Sequence, residues 1–460
     1  MELQLKNIGM IKEANIKLDG LTVIAGENNT GKSTVGKLLF SIIKASNRYK
    51  EDLEESKEDK LFSLIEKNYF QLRRKIDFSA HIDLRELFHP LRFKRDINEK
   101  SLKAFDSRIE RVKVLQSKSL FESEDYSNKE EEYLSDIEKR IIEIKKVFLS
   151  SDNKQEAQNR AFKKVLMSEF KGKISNQNYL DDMSEIRVAE GENGILDIEM
   201  KNDKIHLFEI VDELYFSDAT FIETPAVLQM SEAIDIAKTY FEEVDKEDRI
   251  IRSRRANVPL HVKDLNDKLK VSFYDDEMFD IEDLLNSIDI KELLEKLSTI
   301  IGGRIKYLKK EKDFKYITTN GKAYGSINTA TGIKSFGIIQ MLIKSGLIDE
   351  RSLLILDEPE VHLHPKWQIK YAELIIELVK NNITVLVTSH SPYMIEALKR
   401  YSEVEKVEDK TNFYLAEDAY INQVEDSNSK TLVATYEKLS EPYDTFEEMD
   451  SQRMEKLING

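Results

Sequence analysis

The loop Gly26-Glu27-Asn28-Asn29-Thr30-Gly31-Lys32-Ser33-Thr34 restricts what this chain can fold into more than any other stretch. It satisfies G-x-x-x-x-G-K-[ST] in full and follows the short apolar run TVIA at 22–25. Val35, Leu38, Leu39, Ile42 and Ile43 after it keep the spacing of a helix. Strand, glycine loop and helix in that order make an anion cradle. The glycines let backbone N–H groups wrap a phosphate, and the positive end of the following helix points at the same anion. On this reading Lys32 reaches the β and γ phosphates of ATP, and the Ser33 hydroxyl takes a place on Mg²⁺.

The second constraint lies more than three hundred residues downstream, in LLILDEPEVHLHP at 353–365. Leu353, Leu354, Ile355 and Leu356 suit a parallel strand buried on both faces, and Asp357 with Glu358 arrive where that strand leaves the core. A carboxylate there can reach Mg²⁺, directly or through its water shell, while its neighbour polarises an attacking water. An acidic pair alone also reads as a solvated turn; the phosphate loop upstream favours the metal. The run at 383–387 is another buried strand, ending in Thr388-Ser389-His390-Ser391-Pro392. His390 could touch the γ-phosphate from that end or be a hydrogen-bonded turn histidine. Thr331 and Gly332 open a helix with apolar residues at Ile338, Ile339, Leu342 and Ile343, a second anion-ready N-terminus that ordinary capping also explains. His362 and His364 stand two apart with no third ligand nearby, which is poor evidence for a metal pair.

Composition narrows the setting. The chain has 460 residues, 34% of them charged and 40% hydrophobic, with no apolar run as long as a membrane span. Its first residues, MELQLKNIG, lack the basic start and apolar centre of a signal peptide. With no cysteine there is no disulfide, thiolate zinc site or cysteine nucleophile, which fits a cytoplasmic protein. A net charge of −16 argues against a surface that coats nucleic acid everywhere. Arg249, Arg252, Arg254 and Arg255 could still hold DNA or RNA phosphates, or form a solvated loop that offsets Glu247 and Asp248.

Strands are expected at ELQLKNI, KEANIKL and LTVIA, broken at Gly9 and at Asp19-Gly20. The charged, helical texture that follows reads as an inserted subdomain, whose best amphipathic helix is 134–149. Strand-like alternation returns at 186–190, 195–200 and 204–210, and 219–223 is a short apolar strand. Helices are expected at 264–269 and 281–301, and two strands around a charged turn in IIGGRIKYLKKEKDFKYITTNG. The expected division is 1–45, an N-terminal lobe with the phosphate loop; 46–183, the helical insertion; 184–400, the rest of the head; and 401–460, an acidic strand and helix extension. The fold class is α/β, a parallel core sheet joined to an antiparallel N-terminal sheet.

Phosphate loop, long insertion, TxG-type helix start, LILDEPE and then TSHSP resemble the ABC-type ATPase heads of the SMC, RecF and OLD families, and most of all the OLD-like AAA ATPases of bacterial phage defence. EVHLHP and SHSP are the most specific marks. The resemblance implies heads that dimerise on two ATP molecules, the signature of one subunit capping the γ-phosphate held by the other. It assigns Gly26, Asn28, Asn29, Thr30, Gly31, Lys32, Ser33 and Thr34 to the phosphates, Thr331 and Gly332 to the signature, and Asp357 with Ser33 to Mg²⁺. Glu358 becomes the general base and His390 the switch histidine, and His362 and His364 fall at an interface. The signature reads ATGIK rather than the transporter LSGGQ, and Gln229 is the only guess for a Mg²⁺-sensing glutamine. After His390, 70 residues remain, too few for the TOPRIM nuclease domain of OLD nucleases. The implied role is an ATP-driven switch controlling a separate effector, a nuclease, in phage defence or DNA maintenance. A RecF-like repair ATPase that binds DNA is the alternative; a stand-alone nuclease or a transporter subunit is more distant.

Overall fold

A computed structural model describes residues 1–49, 61–62, 64–70, 82–98, 102–119, 124–149, 154–191, 193–239, 257–271 and 288–459. The arginine cluster at 249–255 and the expected helix start at 281–287 lie outside them. The chain divides into two compact units, Met1–Asp52 with Gln158–Gly460, and Leu53–Ala157.

The larger unit is built on one 11-stranded sheet. Its strands, in chain order, are β1 (Glu2–Ile8), β2 (Ile11–Lys17), β3 (Leu21–Gly26), β4 (Ser184–Glu190), β5 (Asn193–Lys201), β6 (Lys204–Ile210) and β7 (Asp218–Ile222). Two short strands, β8 (Lys238–Thr239) and β9 (Asn257–Val258), pair with each other, and β10 (Gly303–Leu308), β11 (Asp313–Thr318) and β12 (Ala323–Gly325) form a small antiparallel sheet. β13 (Ser352–Asp357), β14 (Thr384–Ser389), β15 (Thr411–Glu417) and β16 (Tyr420–Asn422) complete the set. The order across the large sheet is β6-β5-β4-β1-β2-β16-β15-β3-β14-β13-β7.

Hydrophobic pattern decides which half each strand joins. β3, β13 and β14 are buried at every residue, because helices cover both faces of a parallel sheet. β2 instead alternates buried and exposed positions, as an antiparallel strand with one wet face must. From β7 through β13, β14 and β3 to β15 every neighbour is parallel. The C-terminal ends of these strands therefore share one edge. The main core contains Val23, Ile339, Leu354, Leu356, Ile375, Val385 and Val387.

Two boundaries differ from the sequence expectation. The segment set apart as an extension after residue 400 contributes β15, which lies between β3 and β16 and pairs parallel to the phosphate-loop strand. Its acidic tail is one helix, Asn428–Asn459, with Pro442 inside it. The compact helical unit is Leu53–Ala157 rather than 46–183, and the remainder of helix Lys154–Phe170 packs with the larger unit. Within the smaller unit, Phe88, Phe93, Phe105, Ile137, Ile141 and Ile144 form the core. Arg108 is fully buried there; it donates to the Leu87 carbonyl at 2.9 Å, pairs with Asp96 at 2.7 Å and lies 3.9 Å from the centre of the Phe93 ring. Burial lowers the pKa of this guanidinium, and the hydrogen bond and charge of Asp96 oppose the shift.

Candidate functional site

The edge shared by the parallel strands gathers most of the sequence candidates. Gly26 ends β3, and helix Lys32–Asn47 begins directly after Gly31, which has φ 93°. A Cβ on Gly31 would lie 2.6 Å from the Ile11 side chain, and one on Gly26 would lie 2.4 Å from the Ala416 carbonyl oxygen. Only glycine fits at either place. Asn29 is left-handed at φ 67°, and the Thr30 hydroxyl donates to the Glu27 carbonyl at 2.9 Å. The Thr34 N–H closes the first helical turn on the Gly31 carbonyl at 3.0 Å.

Lys32 is 3% exposed, and its ammonium donates to the carbonyls of Gly26 at 3.0 Å and Glu27 at 2.6 Å. Glu358 Oε1 lies 3.8 Å from it. Burial lowers the lysine pKa, and Glu358, Asp357, Glu360 and Glu27 oppose that shift. An ammonium held at the end of the glycine loop is placed to meet phosphate, and the excess of acids around it calls for a cation beside that phosphate.

Asp357 is the last residue of β13 and 7% exposed. The Thr388 hydroxyl donates to Asp357 Oδ1 at 2.6 Å, and Ser33 is hydrogen-bonded to the same carboxylate. Burial raises its pKa above the ordinary range, and the two hydroxyls only partly offset this. Glu358 turns the chain with φ 48°, its N–H held by the Thr388 carbonyl at 3.1 Å. Such a conformation is costly for a residue with a side chain and needs firm support, which β14 supplies.

TSHSP has a use for nearly every letter. Ser389 Oγ and the His390 N–H donate to Glu360 Oε1 at 2.7 and 2.8 Å. His390 Nδ1 lies 3.4 Å from that oxygen and 3.5 Å from Glu358 Oε1, at ion-pair distance but without a hydrogen bond. Ser391 caps helix Pro392–Val404 and donates to Gln368 Oε1 at 2.7 Å. Sequence reasoning gave Glu360 no task, although it is 4% exposed and orients the His390 backbone. The only sequence signal was its place two residues beyond Glu358 in a strand-end motif.

A cleft of about 330 Å³ at these strand ends is lined by Ser33, Glu223, Ser335, Asp357, Glu358 and His362 among others. Thr331 and Gly332 are not among its lining residues. Thr331 opens helix Thr331–Lys344, and a Cβ on Gly332 would meet the Trp367 ring at 2.9 Å. Gln229 accepts from the buried Lys334 ammonium of that helix at 2.7 Å. His364 caps helix Pro365–Lys380 through Nδ1, which accepts from the Lys366 N–H at 3.2 Å.

The donor set suits ATP with Mg²⁺. Mg²⁺ is usually held by one or two protein oxygens, with phosphate and water supplying the rest, and Ser33 with Asp357 offers that pair. A cage of three or more His, Cys, Asp or Glu is absent among the described residues, so phosphate oxygens would have to complete the shell.

The arrangement defines a class, the P-loop nucleoside triphosphatases. Its family is given by the sequence as a whole: residues 1–395 match the AAA ATPase domain family, and the chain belongs to it. A stretch of 92 residues is 34% identical to the Septu protein PtuA of Bacillus thuringiensis, covering 17% of this chain and 23% of that protein. The chain thus spans less than a quarter of that relative's length. Among solved structures it is similar to an Smc head bound to the C-terminal winged-helix domain of ScpA, with 12% identity, TM-score 0.36, and 92% and 95% of the two chains covered. It is also similar to the SMC head domain of Thermotoga maritima, with 11% identity, TM-score 0.32, and 86% and 90% covered. Among the described residues, no helix is long and apolar enough to cross a membrane.

Proposed function

We propose that this chain binds and hydrolyses Mg²⁺-ATP as a switch, two heads closing on nucleotide and the closed state controlling a separate effector, a nuclease, in phage defence or DNA maintenance. The observation that carries the ATPase reading is the meeting of Lys32, Ser33, Asp357 and Glu358 at one edge of three adjacent parallel strands. When bound, Mg²⁺ supplies charge neutralisation at the transferring phosphate. Lys32 anchors the β and γ phosphates; Ser33 and Asp357 hold the metal end; Glu358 accepts a proton from the attacking water; and His390, oriented by Glu360, faces the γ end. The position of Thr331 and Gly332 away from the cleft lining of their own chain supports a signature that serves a second copy. The defence role rests on EVHLHP and SHSP, and the partial likeness to Septu PtuA supports it.

The test is ATP turnover and size in solution for the wild type, Lys32→Ala and Thr331→Arg. Turnover per subunit should fall on dilution, and Thr331→Arg should bind ATP yet fail to hydrolyse it. A hydrolysis rate independent of concentration, far below the dimer's dissociation constant, would refute the shared site. Wild-type activity in folded Lys32→Ala would refute the ATPase assignment.

A further inference from the structure

His261 belongs to neither the phosphate loop nor the acidic strand end, yet it is wired to the cleft. It is the second residue of helix Leu260–Val271 and 2% exposed, its ring centre 4.8 Å from that of Phe221 and 6.2 Å from that of Phe40. Nδ1 lies 2.5 Å from Glu169 Oε2, and Nε2 lies 3.2 Å from Glu223 Oε2. A carboxylate on each ring nitrogen requires both nitrogens to donate, so the ring is an imidazolium. Burial opposes that charge, but the bonds to Glu169 and Glu223 push its pKa up to about 9. The Glu169 side chain is fully buried, and its other oxygen accepts the His261 backbone N–H at 3.0 Å. This end is an anchor.

The other end faces solvent. Glu223 directly follows β7, whose Ile222 pairs with Leu356 of β13, so it stands beside Asp357 and lines the cleft with Ser33 and Glu358. Lys37, one turn beyond Ser33, approaches Glu223 Oε1 at 3.5 Å. Glu223 keeps 43% of its side chain exposed. The bond from His261 is the largest influence holding its carboxyl down to about 2.

Burying an imidazolium between two acids is costly, and a loop at a strand end needs no such support to fold. The arrangement fixes a direction. We propose that His261 is a positioning residue of the nucleotide site: it holds the Glu223 carboxylate beside Asp357 at the metal end. Through Glu169, it ties that carboxylate to the end of helix Lys154–Phe170, by which the chain returns from Leu53–Ala157. A carboxylate fixed beside Asp357 is a ready acceptor for the water shell of a divalent cation, and His261 sets where it points. The inference rests on the Mg²⁺-ATP reading of the cleft.

The test uses the full chain and equilibrium ATP affinity as a function of free Mg²⁺, with a thermal melt beside it. Glu223→Gln and His261→Gln should each raise the Mg²⁺ needed for half-saturation by about tenfold, the low end of what losing an outer-shell partner costs. Affinity for ATP in EDTA should stay at the wild-type value, and the double variant should be no worse than either single one. Glu169→Gln should move the Mg²⁺ curve the same way. A folded His261→Gln with a lowered melting temperature but a wild-type Mg²⁺ curve makes the residue a packing element and overturns the proposal. So does an unshifted Glu223→Gln. If His261→Gln does not fold, Glu169→Gln decides, and an unshifted curve there is equally fatal. Wild-type protein that binds no ATP at any Mg²⁺ concentration brings down the cleft reading itself, whereas wild-type binding with unshifted variants brings down the role of His261 alone.

Discussion

Acidic clusters sit at both ends of the parallel strands, and the two are balanced in opposite ways. At the entry end Asp218, the first residue of β7, takes Lys44 and Lys268 at 2.8 Å each, and Asp264 meets the same two lysines at 2.5 and 3.2 Å. At the exit end Asp357, Glu358 and Glu360 crowd round Lys32, whose ammonium is bonded to carbonyls. Burial pushes both Asp218 and Asp357 upwards. Lys268 and Lys44 overcome it and bring Asp218 to about 2, whereas Asp357 has hydroxyl partners and stays raised. Similar burial thus ends in opposite pKa shifts, and the partner decides which. A cluster that satisfies itself holds the fold together; one left short of positive charge is equipped to receive a cation.

Lys32→Ala should abolish ATP binding or turnover in a protein that remains folded, measured by nucleotide titration and circular dichroism. Glu358→Gln should lower turnover by about 10² to 10⁴ while keeping ATP affinity and accumulating the closed dimer. Normal hydrolysis by that variant would remove Glu358 as the base. Asp218→Asn should cost roughly 3 kcal/mol in urea unfolding, since it removes one of the two acids that pair with buried Lys44 and Lys268, and should spare nucleotide affinity. Asp357→Asn should do the reverse, weakening Mg²⁺-dependent ATP affinity while leaving stability unchanged or higher, because a carboxyl with a raised pKa opposes folding when ionised. If both variants lost stability alike, the contrast between the two ends would be wrong.

The smallest effect is on acid stability. Asp218 has a folded pKa of about 2 against an ordinary 3.8, so its contribution is fully present above pH 3.8 and is lost as pH falls through 2. Urea midpoints measured from pH 5 to pH 2 should fall more steeply in wild type than in Asp218→Asn.

The legible parts of the site were the local ones. A phosphate loop and an acidic pair ending an apolar strand carry their geometry within a few residues, and Gly9 and Gly20, both at positive φ, punctuate β1 to β3 where expected. Helix Glu124–Leu149 extends ten residues before the expected start, because EDYSNKEEEY has no apolar stripe to announce it. β12 is too short to show a pattern of its own. The group Glu169, His261 and Glu223 was illegible for another reason: its members come from a helix end, a helix start and a strand end far apart in sequence. A lone histidine in LHVKDL gives no sign of the two acids on its ring. The neighbours of a buried strand are likewise hidden. NFYLA reads as a strand wherever it goes, and only the fold places it against the phosphate-loop strand.

That placement also sets an order in time. Gly26 is shaped against the Ala416 carbonyl, so the wall of the phosphate loop is translated hundreds of codons after the loop itself. A nascent chain that has delivered Lys32, Asp357 and His390 carries the groups proposed to touch ATP, yet β3 still lacks one neighbour. Ribosomes that stall before Thr411 should release chains that are silent towards nucleotide, so that a partly made switch has no signal to give.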